Sequence, residues 1–386
     1  MVERRFQPDF ILFAVTLILL GIGTIMIYSA SVPFAEERFG STHFFLFRHV
    51  VRVLLGLMVM FVLIRVDYHI WEKLSLPFLF LAFALLVWLL IPNLPFTSEG
   101  IKGAKSWLRW GPFTLQPSEV AKLALVVYLA DSLARRQLHL YSFTKGFLPP
   151  FIILGAACGL IIKQPDLGMA AIVVMIGMIL LFVGRARLKH LAVVGTTLVS
   201  ILALFVYRSP YWWGKIVAFL NPELDPRGIC YHANQSLVSL GSGGLWGLGL
   251  GQGRQKLFYL PEAHTDFVFS VIGEELGFIG TMIVMMLFLV FLWRGLKIAR
   301  SAPDLFGFLL GFGLTFMIFG QALIQIGVAC AVLPTTGLPL PLVSYGGSSI
   351  LVSLAGIGIL LNISTQAGHV RVHKRDMRTR LQVFNR

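Results

Sequence analysis

Phe10-Ile11-Leu12-Phe13-Ala14-Val15-Thr16-Leu17-Ile18-Leu19-Leu20-Gly21-Ile22-Gly23-Thr24-Ile25-Met26-Ile27-Tyr28-Ser29-Ala30 contains no charged side chain, and its reading decides the fold. As a helix rising about 1.5 Å per residue, a run of this length crosses a hydrocarbon core of about 30 Å. It is too long for a signal peptide and lacks a small-residue cleavage site, so it is expected to stay in the folded protein as a helix. Similar runs recur through the 386 residues. They predict ten spans, roughly 10 to 30, 44 to 64, 74 to 91, 117 to 134, 147 to 162, 167 to 184, 190 to 206, 268 to 293, 305 to 331 and 345 to 366.

Composition agrees, since 57% of the residues are hydrophobic, 13% are charged and the mean hydropathy is +0.81. Such a chain cannot clothe a soluble surface, and an all-α polytopic membrane protein is expected. Residues 1–366 read as one integral membrane domain with a large outer loop at 207–265, and residues 367–386 as a basic tail. With both termini on one side, the segments on that side hold nineteen Lys and Arg and the opposite segments hold ten, mostly in two long loops. Long loops weigh little in the positive-inside rule, so both termini are expected in the cytoplasm. The net charge of +14 is then the signature of basic inner loops and tail, and the scattered cations argue against nucleic acid. Three cysteines, two of them in apolar runs, give no disulfide framework, and no dedicated metal-ligand set is evident.

Two outer loops exceed what connection requires. One carries Lys102-Gly103-Ala104-Lys105-Ser106-Trp107-Leu108-Arg109-Trp110, whose cations and aromatics suit either headgroup anchoring or substrate binding. The other begins with Tyr211, Trp212, Trp213, Lys215, Ile216, Phe219 and Leu220, the pattern of a helix lying in the membrane surface. Farther along it, Gly241-Ser242-Gly243-Gly244-Leu245-Trp246-Gly247-Leu248-Gly249-Leu250-Gly251-Gln252-Gly253 reads either as a cradle for a phosphate or as a tight re-entrant turn. It lacks the terminal Gly-Lys-Ser/Thr and the strand-helix setting of a nucleotide loop.

The loop re-enters the apolar phase through Leu260-Pro261-Glu262-Ala263-His264-Thr265-Asp266-Phe267-Val268-Phe269. A carboxylate at the rim of a hydrophobic bundle is costly and is usually retained for binding, proton movement or chemistry, which singles out Asp266. Helical geometry continued through this point would line Asp266, Ser270, Gly273 and Gly277 along one stripe. Glu274 would then lie about 12 Å deeper, too far for a close carboxylate pair, so a single base is expected.

The fourth span opens with Gln116-Pro117-Ser118-Glu119-Val120-Ala121-Lys122. Pro117 and Glu119 suit a helix N-terminus, and Lys122 is placed for an i, i+3 ion pair with Glu119 that offsets its burial. In the turn Lys163-Gln164-Pro165-Asp166-Leu167-Gly168, Asp166 is a candidate to complete a triad with that pair. Arg48 and Arg52 either hold a phosphate or snorkel to the interface. Finally, Leu333-Pro334-Thr335-Thr336-Gly337-Leu338-Pro339-Leu340-Pro341-Leu342-Val343-Ser344-Tyr345-Gly346-Gly347-Ser348-Ser349 cannot be regular helix and should be a rigid extended segment packed against protein.

These ordered motifs resemble the SEDS family of shape, elongation, division and sporulation proteins, the group of FtsW, RodA and SpoVE. The resemblance rests on Gln116-Pro117-Ser118-Glu119, on the turn from Lys163 to Gly168, on the loop through Asp266, on Glu274-Glu275-Leu276-Gly277 and on the proline segment. It runs from the first span to about Ser364. The stretch from Gln252 to His264 looks more like the division or sporulation branch than the elongation branch.

The resemblance implies a glycosyltransferase of the bacterial plasma membrane that polymerises lipid II into peptidoglycan beside a class B penicillin-binding protein and other division or elongation proteins. It also implies that Asp266 is the catalytic base and that Glu119, Lys122 and Asp166 form a charged cluster. Further candidates for substrate contact are Arg48, Lys102, Lys105, Trp107, Arg254, Lys256, His264 and Ser344. Cations among them would stabilise a departing pyrophosphate, and a divalent ion, Mg or Mn, is an alternative bridge. A lipid II flippase and a noncatalytic scaffold are the rival readings from other classes.

Overall fold

The computed structural model describes residues 8–91, 97–98, 106–111, 113–137, 142–221, 228 and 230–384. In chain order its elements are α1 (Phe10–Phe39), α2 (Phe44–Arg65), α3 (His69–Leu90), strands β1 (Thr97–Ser98), β2 (Trp107–Trp110) and β3 (Phe113–Leu115), then α4 (Pro117–Arg135), α5 (Leu148–Ile162), α6 (Leu167–Val183), α7 (Leu188–Arg208), α8 (Pro210–Leu220), α9 (Tyr231–Ser242), α10 (Val268–Arg300), α11 (Leu305–Ala329) and α12 (Gly347–Phe384).

Each predicted span falls on one of these helices. Among the described residues eight helices are long and apolar enough to cross a membrane, α5 reaching that length with the π-helical turn Phe143–Phe147 before it. The other two predicted spans are helical but miss that measure. α6 has 17 residues, and α4 carries Glu119, Lys122, Asp131 and Arg135 within its 19.

Helix ends follow local chemistry. Asp9, Asp166 and Asp304 cap α1, α6 and α11 by accepting the N–H groups of Leu12, Met169 and Gly307. Pro117 opens α4. The β1-β2-β3 ribbon is antiparallel throughout and was not foreseen, although Gly111, at φ 60°, stands directly after β2.

α4 is the central element, buried without interruption from Ala121 to Leu133, and α11 and α12 complete the core with it. A helix buried around its circumference must have its charges paired internally, and those of α4 are. One end of the bundle is tied by Arg294 to Asp9, by the Asp9 N–H to Ser364 Oγ at 3.0 Å, and by the Tyr68 N–H to Asn362 Oδ1 at 2.9 Å. The other end carries the proline segment and Asp266.

α10 differs from the expected single rod. At Gly277 the backbone turns to φ 68° and ψ −168°, dividing the helix. The glycine-rich segment repairs the break: Phe278 and Ile279 donate to the carbonyls of Gly244 and Leu245, while Leu248 and Gly249 donate to those of Glu274 and Glu275. The glycine-rich stretch thus forms a re-entrant turn, with the amides of Leu248 and Gly249 taken by α10 carbonyls.

Candidate active site

Asp266 stands in a turn just before α10, not on its helical stripe, because Thr265, Asp266 and Phe267 all donate their N–H groups to the Glu262 carbonyl. Gln325 of α11 donates its side-chain amide to the Asp266 carbonyl, fixing the residue from behind. A Cβ built on Gly337 would lie 3.6 Å from Asp266 Oδ2, so the carboxylate faces the proline segment. Lys215 of α8 reaches the same segment, donating to the Thr335 carbonyl at 3.2 Å. Burial, reinforced by the Glu262 charge, lifts the Asp266 carboxyl to about 7 against the opposing pull of Lys215 and Thr265. A carboxylate of that basicity is suited to accept a proton near neutral pH.

The proline segment is packed rather than loose. Backbone of residues 342–343 comes so near α1 that a Cβ on Gly23 would meet Val343 Cα at 2.7 Å, and a Cβ on Gly168 would meet the Thr336 oxygen at 2.9 Å. Ser344 closes a turn within it, its Oγ accepting from the Leu340 N–H at 3.0 Å. Its far end is held where the Tyr345 N–H donates to the His264 carbonyl at 3.0 Å.

Behind the segment lies the charged cluster. Lys122 Nζ is 2.6 Å from Glu119 Oε2, with both side chains out of solvent, and it also donates to Gln321. Gln321 in turn donates to the Pro339 carbonyl at 2.9 Å, linking the ion pair to the proline segment. Asp166 joins through Gln116, whose side-chain amide donates to Asp166 Oδ2 at 3.1 Å. Burial and the charge of Glu119 raise Asp166 to about 6 despite its bonds from Met169 and Gln116.

Other candidates have different surroundings. Lys256 is committed to a buried pair, 2.6 Å from Glu275 Oε1 and 2.8 Å from Ser29 Oγ. Arg254 uses its backbone N–H on Glu274 Oε1 at 2.7 Å and leaves its side chain exposed. Both acids of the Glu274-Glu275 pair therefore anchor the loop. The ring of His264 sits among Phe34, Phe45 and Tyr345, with centroids 4.8 to 5.8 Å away, and burial lowers its basicity. Arg48 covers the Phe44 ring at 4.2 Å, Trp107 is half-buried on β2, and Lys102 and Lys105 lie outside the described residues.

Sequence reasoning passed over Lys215, Gln321 and Gln325. The two glutamines stand four residues apart in an otherwise apolar span, a legible sign of a polar helix face. Lys215 gave no comparable sign, since a lysine on an amphipathic helix is ordinary. Among the described residues no group of three or more His, Cys, Asp or Glu side chains is placed to hold a metal ion.

Residues 10–369 match a family model described as cell cycle protein, that of FtsW, RodA and SpoVE. The chain is 42% identical over 364 residues to stage V sporulation protein E of Bacillus subtilis, covering 94% of this chain and 99% of that one. It is 42% identical over 361 residues to a probable peptidoglycan glycosyltransferase FtsW of Trichlorobacter lovleyi, covering 94% of each. Among solved structures it superposes with a TM-score of 0.76 and 29% identity on a chain of a peptidoglycan synthase complex described as coordinating polymerization and crosslinking, covering 93% of this chain and 98% of that one. The rod shape determining protein RodA of Thermus thermophilus gives a TM-score of 0.68 at 29% identity, over 92% and 96% of the two chains.

Proposed function

The chain belongs to the FtsW, RodA and SpoVE family of cell cycle proteins, and on that premise we propose that it is a peptidoglycan glycosyltransferase polymerising lipid II for septal wall synthesis, with Asp266 as its base. The observation that carries the reading is the Asp266 carboxylate, made basic by burial and by Glu262, facing the proline segment and fixed through its carbonyl by Gln325 of α11.

The sugar 4-hydroxyl of one lipid-linked disaccharide attacks the anomeric carbon of another. Asp266 takes the hydroxyl proton as the new C–O bond forms, the bond to the lipid pyrophosphate breaks, and the anomeric centre inverts. General-base assistance of this kind is worth on the order of 100- to 10,000-fold. The Glu119–Lys122–Asp166 cluster positions the proline segment beneath the reacting groups, acting through Gln116 and Gln321. Both termini lie in the cytoplasm, the Asp266 face opens outward, and a class B penicillin-binding protein crosslinks the product.

The test is glycan synthesis from purified lipid II by the detergent-solubilised protein, with and without that partner, comparing wild type with Asp266→Asn. Polymer from the wild type and at least a 100-fold loss in an equally folded variant is the expected result. Equal polymer from both removes Asp266 from the chemistry. No polymer from either, partner present, returns the chain to the flippase or scaffold readings. Mg or Mn ions bridging the phosphates would make the same reaction sensitive to a chelator.

A further inference from the structure

α10 carries no charged side chain from Phe278 to Trp293, and then Arg294, Lys297 and Arg300 follow within its last two turns. The hydrocarbon boundary therefore falls at Trp293, a residue type that favours that level. Steps of four and three residues carry one face of the helix from Ile279 through Ile283, Met286, Val290, Trp293 and Lys297 to Arg300. Two successive cavities lie along that face. The first, of about 440 Å³, is an apolar groove lined by residues from Phe278 to Val290, Met282, Ile283 and Met286 among them. The second, of about 290 Å³, is lined by Trp293, Leu296, Lys297, Arg300 and Ser301.

The charge of the second cavity is not balanced by the protein. Arg294 is paired with Asp9, but among the described residues neither Lys297 nor Arg300 forms an ion pair, and both are exposed. The nearest acid along the chain, Asp304, is already engaged by Tyr68, His69 and the Gly307 N–H. The exposed Trp293 ring lies 5.3 Å from the Arg294 guanidinium and 5.6 Å from Lys297 Nζ, within cation–π range of both. The helix dipole favours cations at this end, yet it calls for neither a cavity between them nor an exposed indole beside it.

A molecule that fits both cavities joins an anion to a hydrocarbon chain. From Phe278 to Val290 the groove rises about 18 Å, against about 15 Å for half of the hydrocarbon core, so one acyl chain fills it. No carboxylate lines either cavity, and the ammonium of a zwitterionic headgroup would find no partner there. An apolar membrane helix would fill the groove but leave Lys297 and Arg300 unbalanced. We propose that this face of α10 binds an anionic phospholipid of the phosphatidylglycerol type, its phosphate between Lys297 and Arg300 and an acyl chain along the groove. With both termini in the cytoplasm the lipid belongs to the inner leaflet, since the same end of the bundle holds Asp9 and Ser364. The site stands apart from the glycosyltransferase reading, and its test needs no activity.

The test follows Tm of the full-length protein in detergent during titration with phosphatidylglycerol, phosphatidylcholine of the same chains, or glycerol phosphate. Phosphatidylglycerol raises the wild-type Tm at concentrations where phosphatidylcholine does less. The double change Lys297→Gln with Arg300→Gln keeps the ligand-free Tm and the phosphatidylcholine response, and it weakens phosphatidylglycerol binding at least roughly tenfold, from the usual worth of two basic residues at an anionic surface. Lys73→Gln, which removes an exposed cation of α3, keeps the full phosphatidylglycerol response. Should the double change itself lower the ligand-free Tm, Lys297→Arg with Arg300→Lys retains both charges and restores the lipid preference; failure to restore it overturns the proposal. Equal responses to the two lipids also overturn it and give the groove to any apolar partner, a membrane helix included. So does a phosphatidylglycerol preference that survives the double change or falls as far in Lys73→Gln. Glycerol phosphate acting as strongly as the lipid assigns the second cavity to a free anion and rejects the lipid.

Discussion

At the scale of single residues, the basicity of Asp266 is set by neighbours that can be changed one at a time. The base must be ionised to act, so polymerisation rises with pH through a midpoint near the Asp266 value of about 7. Glu262→Gln removes a like charge and moves that midpoint down, whereas Lys215→Met removes an opposing charge and moves it up. A pH-rate profile that stays fixed in both variants would show that another group titrates. Asp266 was legible in the sequence because an acid beside Phe267-Val268-Phe269 has no cheap structural explanation. Its partner across the site was not, because Lys215 acquires meaning through its approach to Thr335, a contact between residues far apart in the chain.

At the scale of elements, the division of α10 depends on one glycine. A Cβ at Gly277 would require a left-handed backbone and would stand 2.3 Å from the Gly247 nitrogen, so Gly277→Ala is expected to cost more than about 2 kcal/mol and to lower Tm in detergent. Gly244→Ala shares the positive φ but meets nothing within 4 Å, and a cost nearer about 1 kcal/mol is expected. Equal costs would mean that the packing of the glycine-rich segment against the break contributes nothing. Local periodicity could not reveal this break, since the apolar pattern continues through Leu276 and Phe278 and the segment that repairs it lies some thirty residues upstream. α9 was hidden differently: Ser236 and Ser239 read as loop residues, yet their hydroxyls bond Ser270 of α10, and Ser236 also bonds the Ala329 carbonyl of α11.

At the scale of the whole molecule, the order of apolar runs was readable because each helix must cross the bundle on its own hydrophobicity; the Glu119–Lys122 pair was readable from its i, i+3 spacing on α4, while the bridges through Gln116 to Asp166 at the start of α6 and from Lys122 to Gln321 of α11 depend on helices distant in sequence meeting. Removing one member of the buried pair leaves the other uncompensated. Lys122→Ala is expected to cost about 3–5 kcal/mol, and the double change Glu119→Gln with Lys122→Met to recover most of it, as read by thermal unfolding in detergent. Additive losses would show that the two charges are not coupled. Orientation is tested by a membrane-impermeant maleimide on intact cells: Glu262→Cys is expected to react and Lys73→Cys to react after permeabilisation, the opposite order reversing the topology. The last helix, α12, continues for 38 residues without a break, about 57 Å at the usual rise against a hydrocarbon core of about 30 Å. Its far end therefore leaves the bundle along the axis of the last span, so the direction in which the basic tail is presented is set by the packing of that span and not by a hinge.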